Sequence, residues 1–113
     1  MVLYRLSQLI KSISSIHFYS VLKPSLVTKK YAQRLDKECS IKVVEGKHGD
    51  VVLTGHAYIA PGGYQMGIVR ENNKYILDIK KAEKVSGHCP SVDYLFESVA
   101  IHAKNNSIAT ILT

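Results

Sequence analysis

Apolar and polar positions change period several times along this chain, and each period points to a different element. Leu3, Leu6, Ile10 and Ile13 recur at steps of three and four, the spacing of a helix face, with Arg5 and Lys11 off the stripe. Ser12, Ser14 and Ser15 dilute that stripe, and residues 16–22 read as a short mixed apolar run. From Thr28 the pattern predicts a helix to about Lys37, capped by the Thr28 hydroxyl, with Tyr31, Ala32 and Leu35 on one face. Residues 41–44 predict a strand, 46–50 a polar turn, and 51–53 and 57–60 two further apolar runs. Pro61-Gly62-Gly63 predicts a turn with Pro61 in second place and Gly62 supplying the positive φ of the third. Residues 65–70 and 75–79 flank Glu71-Asn72-Asn73-Lys74 and read as a β-hairpin.

Residues 80–87 are polar and loop-like, and Pro90-Ser91 then opens the clearest helix. Ser91 is a good N-cap, and Asp93 sets negative charge in the positive first turn. Val92, Leu95, Phe96, Val99, Ala100 and Ala103 make its core stripe, and His102, off that stripe, is expected to face solvent. After Asn105-Asn106, residues 108–112 are apolar and largely β-branched, as in a buried parallel strand.

Composition narrows the class. A chain of 113 residues supports one domain at most, and 46% hydrophobic with 21% charged residues is globular rather than disordered. Two cysteines cannot form a disulfide scaffold, and reduced thiols fit a cytoplasmic setting. No apolar run approaches the roughly 20 residues of a membrane span. The net charge of +6 is unevenly placed: residues 1–37 hold seven basic side chains and only Asp36 as an acid, while the rest is balanced. A nucleic-acid partner is therefore not expected of the body of the chain. The acid-free start fits three readings: an amphipathic helix packed on the domain, a mitochondrial-type targeting peptide, or a segment foreign to the domain.

Candidate chemistry is sparse. The chain has no nucleophile elbow, dinucleotide fingerprint or phosphate loop. His48, His56, His88, Cys39 and Cys89 match no zinc spacing, so no metal and no cofactor are expected. Cys89 reads as a loop or cleft-wall residue, since sequence neighbours such as His88 and Cys89 are seldom placed to exchange a proton. Lys80, Lys81 and Lys84 read as a solvated run.

Three stretches then resemble one family. Thr28-Lys29-Lys30-Tyr31-Ala32-Gln33-Arg34-Leu35-Asp36 is similar to F-T-x-x-(F/Y)-A-x-R-L-D. Gly55 to Met66 is similar to G-x-(A/V)-Y-(I/V)-A-P-G-(G/D)-x-H-M, and Gly87 to Ala100 to x-H-(R/C)-P-S-V-D-x-L-F-x-S-V-A. These are motifs of the catalytic domain of CheB-type chemotaxis protein-glutamate methylesterases. The resemblance implies an α/β fold, a partial doubly wound parallel sheet in three layers with a β-hairpin insertion. It also implies a Ser–His–Asp hydrolase that removes methyl esters from glutamates of methyl-accepting chemotaxis receptors and deamidates glutamines.

None of the family's triad is found here. The serine turn G-(A/S)-S-x-G-G does not occur, Leu22 stands where the family histidine would be, and the aspartate loop that follows I-L-T lies past Thr113. The expectation is a catalytically dead fragment, truncated or frame-shifted, with residues 1–27 foreign to the domain and residues 28–113 a partial methylesterase domain. Carried over from the family are cleft-wall candidates His88, Pro90, Ser91 and Asp93, at a helix start suited to an acyl oxygen or carboxylate. The plainer alternative is that Ser91 and Asp93 only cap the helix. Gln65 replaces the family histidine of H-M, which leaves no polar role to carry over there. Other functions open at this stage are a non-catalytic interaction module and a basic nucleic-acid binder; a fragment that fails to fold is the third outcome.

Overall fold

A computed structural model describes residues 17–19, 25–85 and 87–104. Its elements in chain order are β1 (His17–Tyr19), α1 (Ser25–Glu38), β2 (Lys42–Glu45), β3 (His56–Ile59), β4 (Gln65–Glu71), β5 (Lys74–Lys80) and α2 (Val92–Ala103). The expected helix of residues 3–13 and the expected strand of residues 108–112 lie outside the described residues.

β1, β3 and β2 form a parallel sheet in that order, with Val43 opposite Ala57 and Phe18 opposite Tyr58. β4 and β5 form a separate antiparallel ribbon. The two sides of β3 explain the layering. Ala57 and Ile59 pack with Ala32 and Leu35 of α1 and with Val43. Tyr58 and Ala60, pointing the other way at period two, pack with Met66, Ile68, Leu77 and Leu95. The sheet thus lies between α1 on one face and the ribbon with α2 on the other, the expected α/β arrangement with a hairpin insertion.

The hairpin turn follows its sequence. Glu71 pairs with Lys74, and Asn72 and Asn73 take φ of 51° and 62°, the two left-handed positions of a two-residue type I′ loop. Neither open edge of the ribbon is left bare. On β5, Val51 bridges Ile76, Val52 N–H donates to Tyr75 C=O at 2.9 Å, and Ile79 N–H donates to His48 Nδ1 at 3.0 Å. On β4, Ile68 N–H donates to Ser98 Oγ at 3.1 Å and Arg70 N–H to His102 Nδ1 at 3.3 Å. His102 is accordingly half-buried against β4 and not solvent-facing. Position 102 is one turn after Ser98, so both side chains reach alternate amides of the same strand.

Two local expectations shift. α1 begins at Ser25, three residues before Thr28, so Thr28 lies inside the first turn instead of capping it. Thr28 is fully buried; its hydroxyl donates to Glu45 Oε2 at 2.6 Å and accepts from Gly62 N–H at 3.0 Å. The 61–64 turn is also displaced by one: Tyr64 N–H donates to Pro61 C=O at 3.3 Å, and the positive φ of 83° falls on Gly63. Pro61 takes first place there because the Gly62 amide is drawn to Thr28.

Candidate functional site

In open parallel sheets, ligands gather beyond the carboxyl ends of the strands. Here that edge is built from Glu45 at the end of β2, the Ala60–Gly62 exit of β3, and the first turn of α1. Thr28 ties all three together through the two hydrogen bonds above. At the far end of α1, Asp36 Oδ1 accepts from Val43 N–H at 2.8 Å and Oδ2 from Lys42 Nζ at 2.9 Å. The Val43 bond first, and Lys42 second, hold the Asp36 carboxyl below its ordinary 3.8. β2 is thereby anchored to α1 at both of its ends.

The Gly63-Tyr64 turn carries the chain from β3 into Gln65, the first residue of β4 and fully buried. Its amide reaches across to the loop that precedes α2. Nε2 donates to Glu83 C=O and to His88 C=O, both at 3.0 Å, and Oε1 accepts from Ser91 N–H at 2.8 Å. The loop is closed further by the Val85–His88 bridge, with N–H···O distances of 2.9 and 3.1 Å. No motif pointed to Gln65 as a polar centre. The only signal was an amide in an otherwise apolar strand (Gln65, Met66, Gly67, Ile68), where burial obliges it to find partners.

The cleft-wall candidates take distinct positions on this loop. His88 is exposed, with its backbone held by Val85 and Gln65. Pro90 is buried, follows a cis Cys89–Pro90 bond, and leads into Ser91. Ser91 is 3% exposed and occupies the N-cap of α2, yet its side chain makes no capping hydrogen bond. Asp93 is exposed in the first turn. Cys89 is half-buried, its thiol 3.7 Å from Ala82 C=O. Leu22, at the family histidine position, lies outside the described residues. His48 and His56 lie apart from this loop, on Ile79 N–H and beside Thr54 C=O. Among the described residues no three His, Cys, Asp or Glu side chains cluster in a metal-holding arrangement. No helix among them is long and apolar enough to cross a membrane.

α2 approaches the ribbon closely at Gly67, where a β-carbon would stand 2.8 Å from Ser98 Oγ and 3.0 Å from Ser98 Cβ. Glycine at 67 therefore sets how near the helix can lie, and with it where the Ser91 end falls. Lys80 Nζ lies 5.8 Å from the Tyr94 ring centroid, and that tyrosine, ahead of Asp78, raises the lysine above its ordinary range.

Relatives agree with this architecture. The chain is 47% identical over 90 residues to the protein-glutamate methylesterase/protein-glutamine glutaminase of Salmonella typhi, and 48% identical over 90 residues to that of Chromohalobacter salexigens. Each match covers 80% of this chain but only 26% and 25% of the relative, so the chain spans about a quarter of their length. The crystal structure of the Thermotoga maritima CheB methylesterase catalytic domain superposes with a TM-score of 0.79 and 27% identity, covering 88% of this chain and 55% of that one. The CheB methylesterase family model matches residues 4–113, a span that takes in most of the segment the motifs set apart, including β1. With the family model matching nearly the whole chain, curated relatives at 47–48% identity and a catalytic-domain structure of the same fold, this chain belongs to the CheB methylesterase family.

Proposed function

We propose that this chain supplies the substrate wall of a protein-glutamate methylesterase and that residues 1–113 by themselves hydrolyse no ester. The observation that carries the reading is the fixing of residues 88–91 by Gln65, close to the carboxyl end of β3. That is where an α/β sheet receives its ligand. His88, Pro90, Ser91 and Asp93 form the wall, and the substrate is a glutamyl methyl ester, or a glutamine, on a methyl-accepting chemotaxis receptor in the cytoplasm. In this reading residues 28–113 carry the wall, and residues 1–27 bring none of the triad.

Hydrolysis by this family's route needs a serine, a histidine to take its proton and an acid to orient the histidine. Leu22, at the histidine's place, has no atom that accepts a proton. Ser91 and His88 do not make a substitute pair. Ser91 is buried at a helix cap and His88 is exposed on a loop pinned through its backbone.

Methanol release from methylated receptor by the purified chain tests the second half of the reading. No release above buffer is expected, and release that Ser91→Ala or His88→Ala abolishes overturns it. A chimaera tests the first half, with residues 28–104 replacing the matching stretch of the Salmonella typhi relative. It should retain hydrolysis; a folded chimaera without activity would show that this wall does not serve the reaction.

A further inference from the structure

We propose that the β4–β5 ribbon carries a proton-operated latch on each open edge, His102 on β4 and His48 on β5, and that mild acid releases both. Nothing in the device depends on the reaction proposed above.

In an antiparallel pair, alternate residues of each strand turn their amides away from the partner strand. Glu71 opposite Lys74 sets the phase, so Ile68 and Arg70 are among those facing outward on β4, and Leu77 and Ile79 on β5. These four amides are taken by two kinds of acceptor. Ile68 N–H goes to Ser98 Oγ at 3.1 Å and Leu77 N–H to Asp50 C=O at 2.9 Å, oxygens that gain no proton near neutrality. Arg70 N–H goes to His102 Nδ1 at 3.3 Å and Ile79 N–H to His48 Nδ1 at 3.0 Å. On each edge a fixed acceptor and an imidazole thus serve amides two residues apart.

A ring nitrogen accepts a hydrogen bond only through a free lone pair, so both histidines must be neutral with the hydrogen on Nε2. A proton on Nδ1 turns the acceptor into a donor facing another donor, and the bond is lost. Imidazole is the side chain whose charge changes between about pH 5 and 8. His48 is exposed and His102 half-buried, so protons reach both rings.

Each ring also has a partner once charged. His48 Nδ1 lies 3.8 Å from Asp78 Oδ1, within reach of an ion pair when the ring is protonated. Lys80 Nζ lies 3.7 Å from the other oxygen, Oδ2, which leaves Oδ1 to the histidine. In the turn that carries His48, Asp50 Oδ2 accepts from Lys47 N–H at 3.2 Å. His102 stands in the last turn of α2, where the unpaired carbonyls favour a cation. The charges on β4 at that level are Arg70 and Glu71, of opposite sign; the Arg70 guanidinium lies 5.7 Å from the Tyr75 ring centroid of β5. On the helix itself Lys104 follows, with contacts of its own. Neutral, each imidazole holds an edge amide; charged, it is drawn to a carboxylate or a helix end. Two such alternatives make a switch. The cover is complete with the rings neutral and is lost as pH falls. Because Ser98 and Asp50 keep their amides throughout, the release is local: the last turn of α2 leaves Arg70, and His48 leaves Ile79.

The test is amide hydrogen exchange of the ¹⁵N-labelled 113-residue chain at about pH 7.5 and about pH 5, expressed as protection relative to the free-chain rate at each pH. Protection at Arg70 and Ile79 should fall about tenfold at the lower pH, and protection at Ile68 and Leu77 should hold within about twofold. His102→Asn sets an amide oxygen near the place of Nδ1 and takes no proton; it should abolish the fall at Arg70 and leave that at Ile79. His48→Asn should do the reverse. Unchanged protection at Arg70 and Ile79 overturns the latch, as does a fall shared equally by all four amides, which is acid unfolding. A fall that persists at Arg70 in His102→Asn, or at Ile79 in His48→Asn, removes that histidine as its cause. Should an asparagine variant not fold, the ring ¹⁵N shifts of the unaltered chain decide. Both Nδ1 signals must titrate in step with the loss of protection, and titration out of step overturns the latch.

Discussion

The molecule has two halves that share β3 and are held together by different means. On the α1 side the strands are parallel, so each pairing joins segments far apart in sequence, and the core is small: Ala32, Leu35, Val43, Ala57 and Ile59. Polar bonds supplement it at both ends of α1, through Thr28 with Glu45 and Gly62, and through Asp36 with Val43. On the ribbon side the pairing is local, and the larger core runs from Val52 to Ala103. There the polar bonds do other work. Ser98, His102 and His48 cover edge amides, and Gln65 fixes the loop that leads to the candidate site. A local hairpin forms readily but must be kept from pairing with other strands. A parallel sheet is protected by its helices but must be assembled across long connections.

The largest expected effect comes from the small core. Leu35→Ala should lower stability by about 2–5 kcal/mol in a urea melt, because a fully buried leucine on the α1 side has few neighbours able to close the gap. A loss under 1 kcal/mol would mean that the α1 side contributes little and the contrast between halves is false.

Gln65→Leu should cost about 2–3 kcal/mol, since it strands the Ser91 N–H and the Glu83 and His88 carbonyls. Hydrogen exchange should quicken at Ser91 and leave the β2–β3 pairing untouched. Equal quickening in both halves would show that Gln65 is not a local clamp.

Gly67→Ala should cost about 1–3 kcal/mol through overpacking against Ser98, and it should displace α2 from β4. Faster exchange at Ile68 and Arg70, whose amides Ser98 and His102 cover, is the signature to measure.

The smallest effect is one of pH and belongs to the α1 side. Asp36 is held below its ordinary 3.8 in the folded chain, so its contribution is complete above pH 3.8 and fades as pH falls below that value. Asp36→Asn should flatten that acid limb of a stability–pH curve and leave the curve near neutrality with the same shape. An unchanged acid limb would remove Asp36 from the links that bind β2 to α1.

Much of this architecture is legible along the chain. Asn72-Asn73 between two alternating runs specifies a hairpin because both residues tolerate positive φ, and both adopt it. Pro90-Ser91 marks the start of α2, and period-two alternation in residues 57–60 places Tyr58 and Ala60 on the face opposite Ala57 and Ile59. Three motifs were enough to reach the family. These signals are local: they depend on a residue's own backbone preferences or on spacing within one element.

Other features took shape only on folding. Thr28 looks like a cap in sequence, but the chain winds one turn earlier, at Ser25, and its hydroxyl is left for residues 17 and 34 positions away. His102 looks like a surface residue, and Arg70 brings it a backbone amide from 32 positions away. Gln65 appeared as a departure from a motif, and burial made it the fixed point of a loop. The sequence alone determined the periods, the turns and the family. Which polar side chains carry structure was decided by the tertiary structure. The reason is that a buried hydrogen-bonding group must be paired, and only the folded chain brings its partners within reach.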